Sequence, residues 1–254
     1  MKQSLPISVV VPCFNRLEGL DDLLTSFREA QFSCELIVID DGSNDDIGSV
    51  IKRFSDLDIQ FYQNQINHGP AFSRNRGISL ASHSLVAFTD DDCKVAQDWL
   101  IILYEAIKTA SPKVVGVGGR ILASHGDAYS RYFEYHKILD PILYKGQFFY
   151  LVTANSIFRK EKLLEVNGFD ERLRNPGGED PGLCFKLSQK GYRFGYAPEA
   201  IVFHRFRRGL WSFAKTFFRY GYGCAVQSKS HLHSIQTSQP LASFSGNEFL
   251  EDNE

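Results

Sequence analysis

The sequence predicts an α/β fold with a doubly wound first half. Three observations point there: short apolar runs of strand length, stretches of helical spacing between them, and a regular alternation of the two. Ile7 to Val11 is such a run, and Leu17 to Ala30 follows with Leu17, Leu20, Leu23, Leu24 and Phe27 at helical intervals. Leu36 to Ile39 is the next apolar run. Strand, helix and strand in that order form a crossover unit, which requires parallel strands and a right-handed connection. The alternation continues with a helix over 46–54, a strand over 59–62, a helix over 70–80 and a strand over 85–89. Residues 1–110 therefore read as a nucleotide-binding half, the kind of sheet that binds ligands at the carboxyl ends of its strands.

A helix over 99–109 and a strand over 114–117 lead into an aromatic-rich stretch, 129–150, where an acceptor lobe would sit. Helices over 160–166 and 181–190, a strand over 200–203 and an aromatic helix over 210–224 complete a second half, residues 111–226. Residues 227–254 are rich in Ser, Gln and His without periodicity and read as a flexible tail. Gly116, Gly118 and Gly119 follow a strand without opening a helix, which indicates close backbone packing.

At 254 residues and 43% hydrophobic content the chain can bury one full core. Its net charge of −2 excludes the basic field of a nonspecific nucleic-acid binder. Five cysteines, far apart and without a C-x-x-C pair, fit reduced thiols and a cytoplasmic protein. Met1 to Pro6 carries no signal-peptide pattern, and no apolar run reaches the roughly 20 residues that span a bilayer, so the expectation is a soluble or peripherally attached protein.

Phe88-Thr-Asp90-Asp91-Asp92-Cys93 places three carboxylates at the end of a buried strand. Like charges so close repel, and a hard divalent cation relieves them; an acidic loop capping the next helix is the plainer alternative. The first strand runs into Pro12-Cys13-Phe14-Asn15-Arg16, which is no glycine-rich phosphate loop. The charge of a bound nucleoside diphosphate would then be met by a cation and by arginines.

Several segments, taken in order over residues 7–205, resemble the family 2 glycosyltransferases, inverting enzymes of the GT-A fold. They are Val9-Val-Val-Pro12-Cys-Phe-Asn15, Ile39-Asp40-Asp41-Gly42-Ser43, Gly69-Pro-Ala-Phe-Ser-Arg74-Asn75-Arg76-Gly77, Phe88-Thr-Asp90-Asp91-Asp92, Asn155 with Phe158-Arg159, Gly168-Phe169-Asp170-Glu171, and Glu179-Asp180. The resemblance implies a Rossmann-like nucleotide-binding half with a mixed central sheet, fused to an acceptor-binding half. It implies a nucleotide-sugar donor, a UDP-sugar first, and a saccharide or lipid-linked acceptor. Within the donor site it implies Asp41 on the nucleobase, Pro12, Phe14 and Asn15 around the base, Arg74 near the donor, Asp90 toward the ribose and the metal, and Asp92 on the metal, with Asp91 able to shift that register by one. The metal is Mn²⁺ or Mg²⁺.

Inversion needs a carboxylate that takes the acceptor proton. The resemblance points to Asp180, with Glu179 in reserve; Asp180 before Pro181 also suits a helix cap, and nearby helix amides are expected to keep it ionised. His204, after a strand, is a further metal ligand in some relatives and suits Mn²⁺ better than Mg²⁺, or is a structural hydrogen-bonding residue. From Ala200 to Asn247 there is no Asp or Glu, while Arg205, Arg207, Arg208, Lys215, Arg219 and Lys229 are basic. One of these arginines would serve donor pyrophosphate. Leu210, Phe213, Ala214, Phe217 and Phe218 form an apolar stripe edged by Trp211 and Tyr220, which either packs on the core or makes the Arg205–Cys224 segment a peripheral membrane contact. The rival functions are a sugar-1-phosphate nucleotidyltransferase, which needs a glycine-rich basic loop, and a catalytically silent nucleotide-sugar or glycan-binding module.

Overall fold

A computed structural model describes residues 2–144, 146–206 and 209–235. Its centre is an eight-stranded mixed sheet. In chain order the strands are β1 (Gln3–Cys13), β2 (Phe32–Asp40), β3 (Ile59–Gln63), β4 (Leu85–Phe88), β5 (Cys93–Val95), β6 (Val114–Ala123), β9 (Ser156–Arg159) and β10 (Arg193–His204), with a separate hairpin of β7 (Leu143–Tyr144) and β8 (Gln147–Phe148). The order across the sheet is β3-β2-β1-β4-β9-β6-β10-β5. β1 pairs in parallel with β2 and β4, and β2 with β3, as the crossover pattern requires. β9 is inserted antiparallel between β4 and β6, and β5 runs antiparallel to β10.

The helices are α1 (Leu17–Glu29), α2 (Ile47–Lys52), α3 (Pro70–Leu80), α4 (Trp99–Thr109), α5 (Ala128–Tyr135), α6 (Lys160–Glu165), α7 (Glu179–Gln189) and α8 (Leu210–Ile235). On one face of the sheet, Leu20, Leu23, Leu24 and Phe27 of α1 meet Trp99, Leu100, Leu103 and Ile107 of α4. Ala71 and Ile78 of α3, with Leu183, Cys184 and Leu187 of α7, belong to the cluster built on Val10, Ile37, Ile39 and Phe88. Trp99 is wholly buried against Phe27 and Phe32, and its indole N–H donates to Asn155 Oδ1 at 2.7 Å. Asn155 Nδ2 donates onward to the carbonyls of Arg120 and Ala200, both at 2.8 Å, so this side chain braces α4, β6 and β10 together.

The glycine cluster packs as expected. A Cβ on Gly116 would lie 2.5 Å from the Phe158 ring, and one on Gly119 2.2 Å from the Ala200 carbonyl. Other elements depart from expectation. β5 and β9 have three and four residues, too short for periodicity to separate from a loop. The aromatic stretch contains α5, capped by Asp127, whose carboxylate accepts from the amides of Tyr129 and Ser130. α7 begins at Glu179 behind a left-handed Gly178, so Asp180 is the second helical residue and not the cap. α8 runs to Ile235, past the end expected at 224; residues 236–254 of the expected tail lie outside the described residues, as do Arg207 and Arg208. Among the described residues no helix is long and apolar enough to cross a membrane.

A polar knot fastens the start of the sheet. Glu35, 5% exposed, accepts from Ser8 Oγ, from Gln60 Nε2 at 2.6 Å, and from the Ser82 amide and hydroxyl at 3.0 and 2.7 Å. Burial alone would raise its pKa, but these donors outweigh it and hold the carboxyl below its ordinary value. Glu35→Ala is therefore expected to lower the unfolding free energy by about 2–3 kcal/mol, measured by urea denaturation. Because the folded pKa is depressed, the knot stabilises fully above the unfolded value of about 4.3 and loses that contribution as pH falls through the folded value. Acid unfolding of Glu35→Gln should show less of this dependence.

Candidate active site

The parallel register brings the ends of β1, β2 and β4 to one edge, with Cys13 beside Asp40 and Val10 beside Phe88. Each chain segment leaving that edge carries a polar group. A cavity of about 390 Å³ opens there, bounded by Pro12, Phe14, Arg16 and Asp41, by Arg74 of α3, by Asp90, Asp91 and Asp92, by His204, and by Phe213, Thr216, Arg219 and Tyr220 of α8. A second cavity of about 200 Å³ adjoins it, lined by Tyr150, Thr153, Glu179 and Asp180. Arg74, Asp90, Pro176, His204 and Tyr220 line both.

Arg74 is 4% exposed and ion-pairs with Asp90 at 2.7 Å and with Glu179 at 3.2 Å. It thus ties the acidic loop of the first half to the start of α7 in the second. Burial opposes its charge, yet Asp90, Asp180 and Glu179 keep the guanidinium firmly protonated. Arg16 does the same for the other carboxylates, pairing with Asp92 and lying 3.7 Å from Asp91. Asp91 points inward, where it accepts from the Phe14 amide at 3.1 Å; burial, then the charge of Asp92, pushes its pKa up to about 7.

Asp92 has Arg16 on one oxygen and His204 Nε2 3.3 Å from the other. Ligand atoms of Asp92, Cys93 and His204 lie within 4.8 Å of one another. Cys93 would offer a soft sulfur ligand, which suits a hard divalent cation poorly. That leaves a carboxylate oxygen and an imidazole nitrogen, a donor pair that suits Mn²⁺. His204 Nδ1 is buried without a hydrogen-bond partner among the described residues.

Of the other expected residues, Asp41, Pro12 and Phe14 border the larger cavity and Asn15 does not. Asp41 borders the cavity, but its carboxylate accepts from Asn64 Nδ2 at 2.7 Å, the His68 amide at 3.1 Å and the Gly69 amide at 2.7 Å, and so shapes the turn into α3. Asn15, at φ 51°, lines neither cavity; its amide donates to Ser43 Oγ and its Oδ1 accepts from the Asn44 amide, both at 2.8 Å. Pro12 and the exposed Phe14 do line the larger cavity.

Asp180 accepts from the Thr153 amide at 3.1 Å and hydroxyl at 2.8 Å. Burial and the neighbouring Glu179 raise its pKa to about 7, against the pull of Arg74 and Thr153. This corrects the expectation that helix amides lower it: Asp180 sits inside the first turn and turns its carboxylate away to Thr153. Glu179 is occupied by Arg74 and by the Gly177 amide at 2.5 Å, a bracing arrangement.

Sequence reasoning missed Arg16, Thr153 and Tyr220. Thr153 lies in a stretch without periodicity, and no spacing rule marks Arg16. The apolar stripe on α8 divides in two: Phe213 and Phe217 pack on Tyr132 and Phe133, whereas Leu210, Trp211, Phe218 and Tyr222 are exposed.

Comparison with known proteins agrees with this geometry. The family model described as "Glycosyl transferase family 2" matches residues 8–166. The pre-mycofactocin glycosyltransferase of Mycobacterium tuberculosis is 32% identical over 222 residues, which cover 84% of this chain and 46% of the relative. The chain thus spans about half the length of that curated relative. Among solved structures, a mannosyltransferase from Pyrobaculum calidifontis in complex with GDP-Man and Mn²⁺ aligns with a TM-score of 0.66 at 19% identity, covering 93% of this chain and 76% of that one. TarS 1-349 of Staphylococcus aureus in complex with UDP-GlcNAc aligns with a TM-score of 0.63 at 20% identity, covering 82% and 60%. These structures share the GT-A fold. The chain belongs to glycosyl transferase family 2.

Proposed function

We propose that the chain transfers a sugar with inversion from a nucleoside diphosphate donor, a UDP-sugar first, to an acceptor hydroxyl. The observation that carries this reading is the pair of adjoining cavities, one holding the acidic loop and the other Asp180, with Arg74, Asp90, His204 and Tyr220 common to both. That arrangement suits a donor and an acceptor meeting at a shared wall. The structural neighbours with GDP-Man and with UDP-GlcNAc support a nucleotide-sugar donor.

In this reading the donor lies in the larger cavity, with its base near Pro12, Phe14 and Asp41. Asp180 takes the proton of the acceptor hydroxyl as that oxygen bonds to the anomeric carbon. The bond from that carbon to the diphosphate oxygen breaks in the same displacement, and the nucleoside diphosphate leaves. Asp92 and His204, with Asp90 nearby, would hold a divalent ion, Mn²⁺ or Mg²⁺, which when bound would supply positive charge to that leaving group. Arg74 keeps Asp90 and Glu179 in place, and Glu179 braces the turn that presents Asp180.

The acceptor is a saccharide hydroxyl. The outward face of α8, with Trp211 88% exposed beside Leu210, Phe218 and Lys215, favours an acceptor carried on a lipid at an anionic membrane surface. A binding module without turnover is the alternative, and release of nucleoside diphosphate separates the two. Sedimentation with vesicles rich in anionic lipid should carry the protein down, and Trp211→Ser with Phe218→Ser should release it; equal recovery with neutral vesicles would remove the membrane contact.

Two further outcomes test the chemistry. Asp92→Ala should abolish metal-dependent donor binding in calorimetry, and unchanged donor affinity would remove the metal assignment. Asp180→Asn should keep donor affinity while transfer falls by about two powers of ten or more. In the native enzyme Asp180 is protonated below its raised value of about 7, so kcat/KM should rise as pH increases through that value. A profile flat from pH 5 to 8 in an active enzyme would place the base elsewhere.

A further inference from the structure

The turn that follows β1 is built against the acidic loop. The Phe14 amide donates to Asp91 Oδ2 at 3.1 Å, and a Cβ on Gly19, in the first turn of α1, would lie 2.3 Å from the Asp91 carbonyl oxygen. The Asp92 carbonyl accepts from the Arg205 amide at 2.8 Å, so the loop backbone is held from a second side. Arg16, the residue before α1, is thereby fixed beside the carboxylates of that loop.

Arg16 occupies the same carboxylate that a divalent cation would use. Its Nη1 donates to Asp92 Oδ2, while His204 Nε2 lies 3.3 Å from Asp92 Oδ1. The Arg16 side chain is 23% exposed and that of Asp92 11%, so water screens the pair only in part. Two cations at one carboxylate repel each other, and a guanidinium does not escape that repulsion by losing its proton. A divalent ion therefore has to draw Asp92 away from Arg16 or share it at close quarters. Either way Arg16 weakens the site for a cation that arrives alone. A nucleoside diphosphate in the cavity that Arg16 borders brings negative charge, which offsets the crowding of positive charge.

We infer that Arg16 is a positioning residue that holds Asp92 in the nucleotide-free protein, so that the divalent cation binds tightly only together with a nucleoside diphosphate. The inference rests on the metal reading above, in which Asp92 is a ligand. Cation and diphosphate then reinforce each other, each raising the affinity for its companion by the same factor.

The test is titration of Mn²⁺, alone and with saturating UDP or GDP, into the native protein, Arg16→Gln and Arg16→Lys, read from the electron paramagnetic resonance signal of free Mn²⁺. Thermal melting shows which variants are folded. Without nucleotide, the affinity of Arg16→Gln for Mn²⁺ should exceed that of the native protein by about tenfold or more. Arg16→Lys, which keeps the charge but loses the planar fork, should gain about threefold, and this gain decides the matter if the glutamine form does not fold. The factor by which nucleotide raises Mn²⁺ affinity should shrink in step with each gain. Affinity for Mn²⁺ alone that is unchanged or weaker in a folded variant overturns the inference, since Arg16 would then prepare Asp92 for the cation. A gain that persists when Asp92→Ala is added to Arg16→Gln also overturns it, because the cation would lie elsewhere. A native protein that takes up no Mn²⁺ even with nucleotide overturns the metal reading and this inference together.

Discussion

The ion pairs of Arg74 with Asp90 and Glu179 join the two halves of the site, and everything else in the cleft is arranged around the charge they leave unbalanced. Among the described residues lining the two cavities are six carboxylates, Asp41, Asp90, Asp91, Asp92, Glu179 and Asp180, and four guanidinium groups, Arg16, Arg74, Arg174 and Arg219. Removing one partner from a buried pair of this kind exposes an uncompensated charge, so Arg74 cannot be lost without loosening both Asp90 and Glu179. The excess of carboxylate appears in the raised pKa values of Asp91 and Asp180, each first through burial and then through a neighbouring acid. A diphosphate brought into such a place meets repulsion unless more positive charge arrives with it.

The fold creates this concentration of charge by geometry. Parallel pairing of β1, β2 and β4 makes three strands end at one edge, and each leads into polar residues: Asn15 and Arg16, Asp40 and Asp41, and Thr89 to Asp92. The antiparallel β9 then turns the sheet over to the second half, and the Trp99–Asn155 bond locks that turn to the core. Because β10 pairs with β6 and β5 on the far side, its last residue, His204, returns to the acidic loop beside Cys93. Carboxylate and imidazole thus come from strands far apart in sequence, held by pairing rather than by a local motif.

How much of this was legible in the sequence follows from the physics of each element. The apolar runs of β1, β2 and β4 and the helical faces of α1 and α4 announce themselves, because burial imposes periodicity. β9 does not, since three of its four residues are buried and Arg159 is half-buried, which leaves no alternation to show. The acidic run at Asp90–Asp92 was plain, but Arg16, the partner of Asp91 and Asp92, was not, because an ion pair between loops 75 and 76 residues apart leaves no local spacing. Asp180 was found by resemblance, while the direction of its pKa was misjudged: the sequence shows the helix start but not the depth of burial or the hand-off to Thr153. For α8 the stripe of aromatics was visible, yet a stripe as wide as Leu210, Trp211, Phe213, Phe217 and Phe218 does not tell which side of it meets the core. Only the packing of Phe213 and Phe217 on Phe133 decides that, leaving Trp211 and Phe218 outward.

In the proposed reaction the carboxylate excess at this sheet edge would hold a divalent cation against a departing diphosphate. Anomalous scattering from a crystal grown with Mn²⁺ and UDP tests it most directly. The account predicts a manganese peak in contact with Asp92, His204 and the diphosphate. Well-ordered UDP with no such peak, its phosphates met by arginine alone, would contradict it.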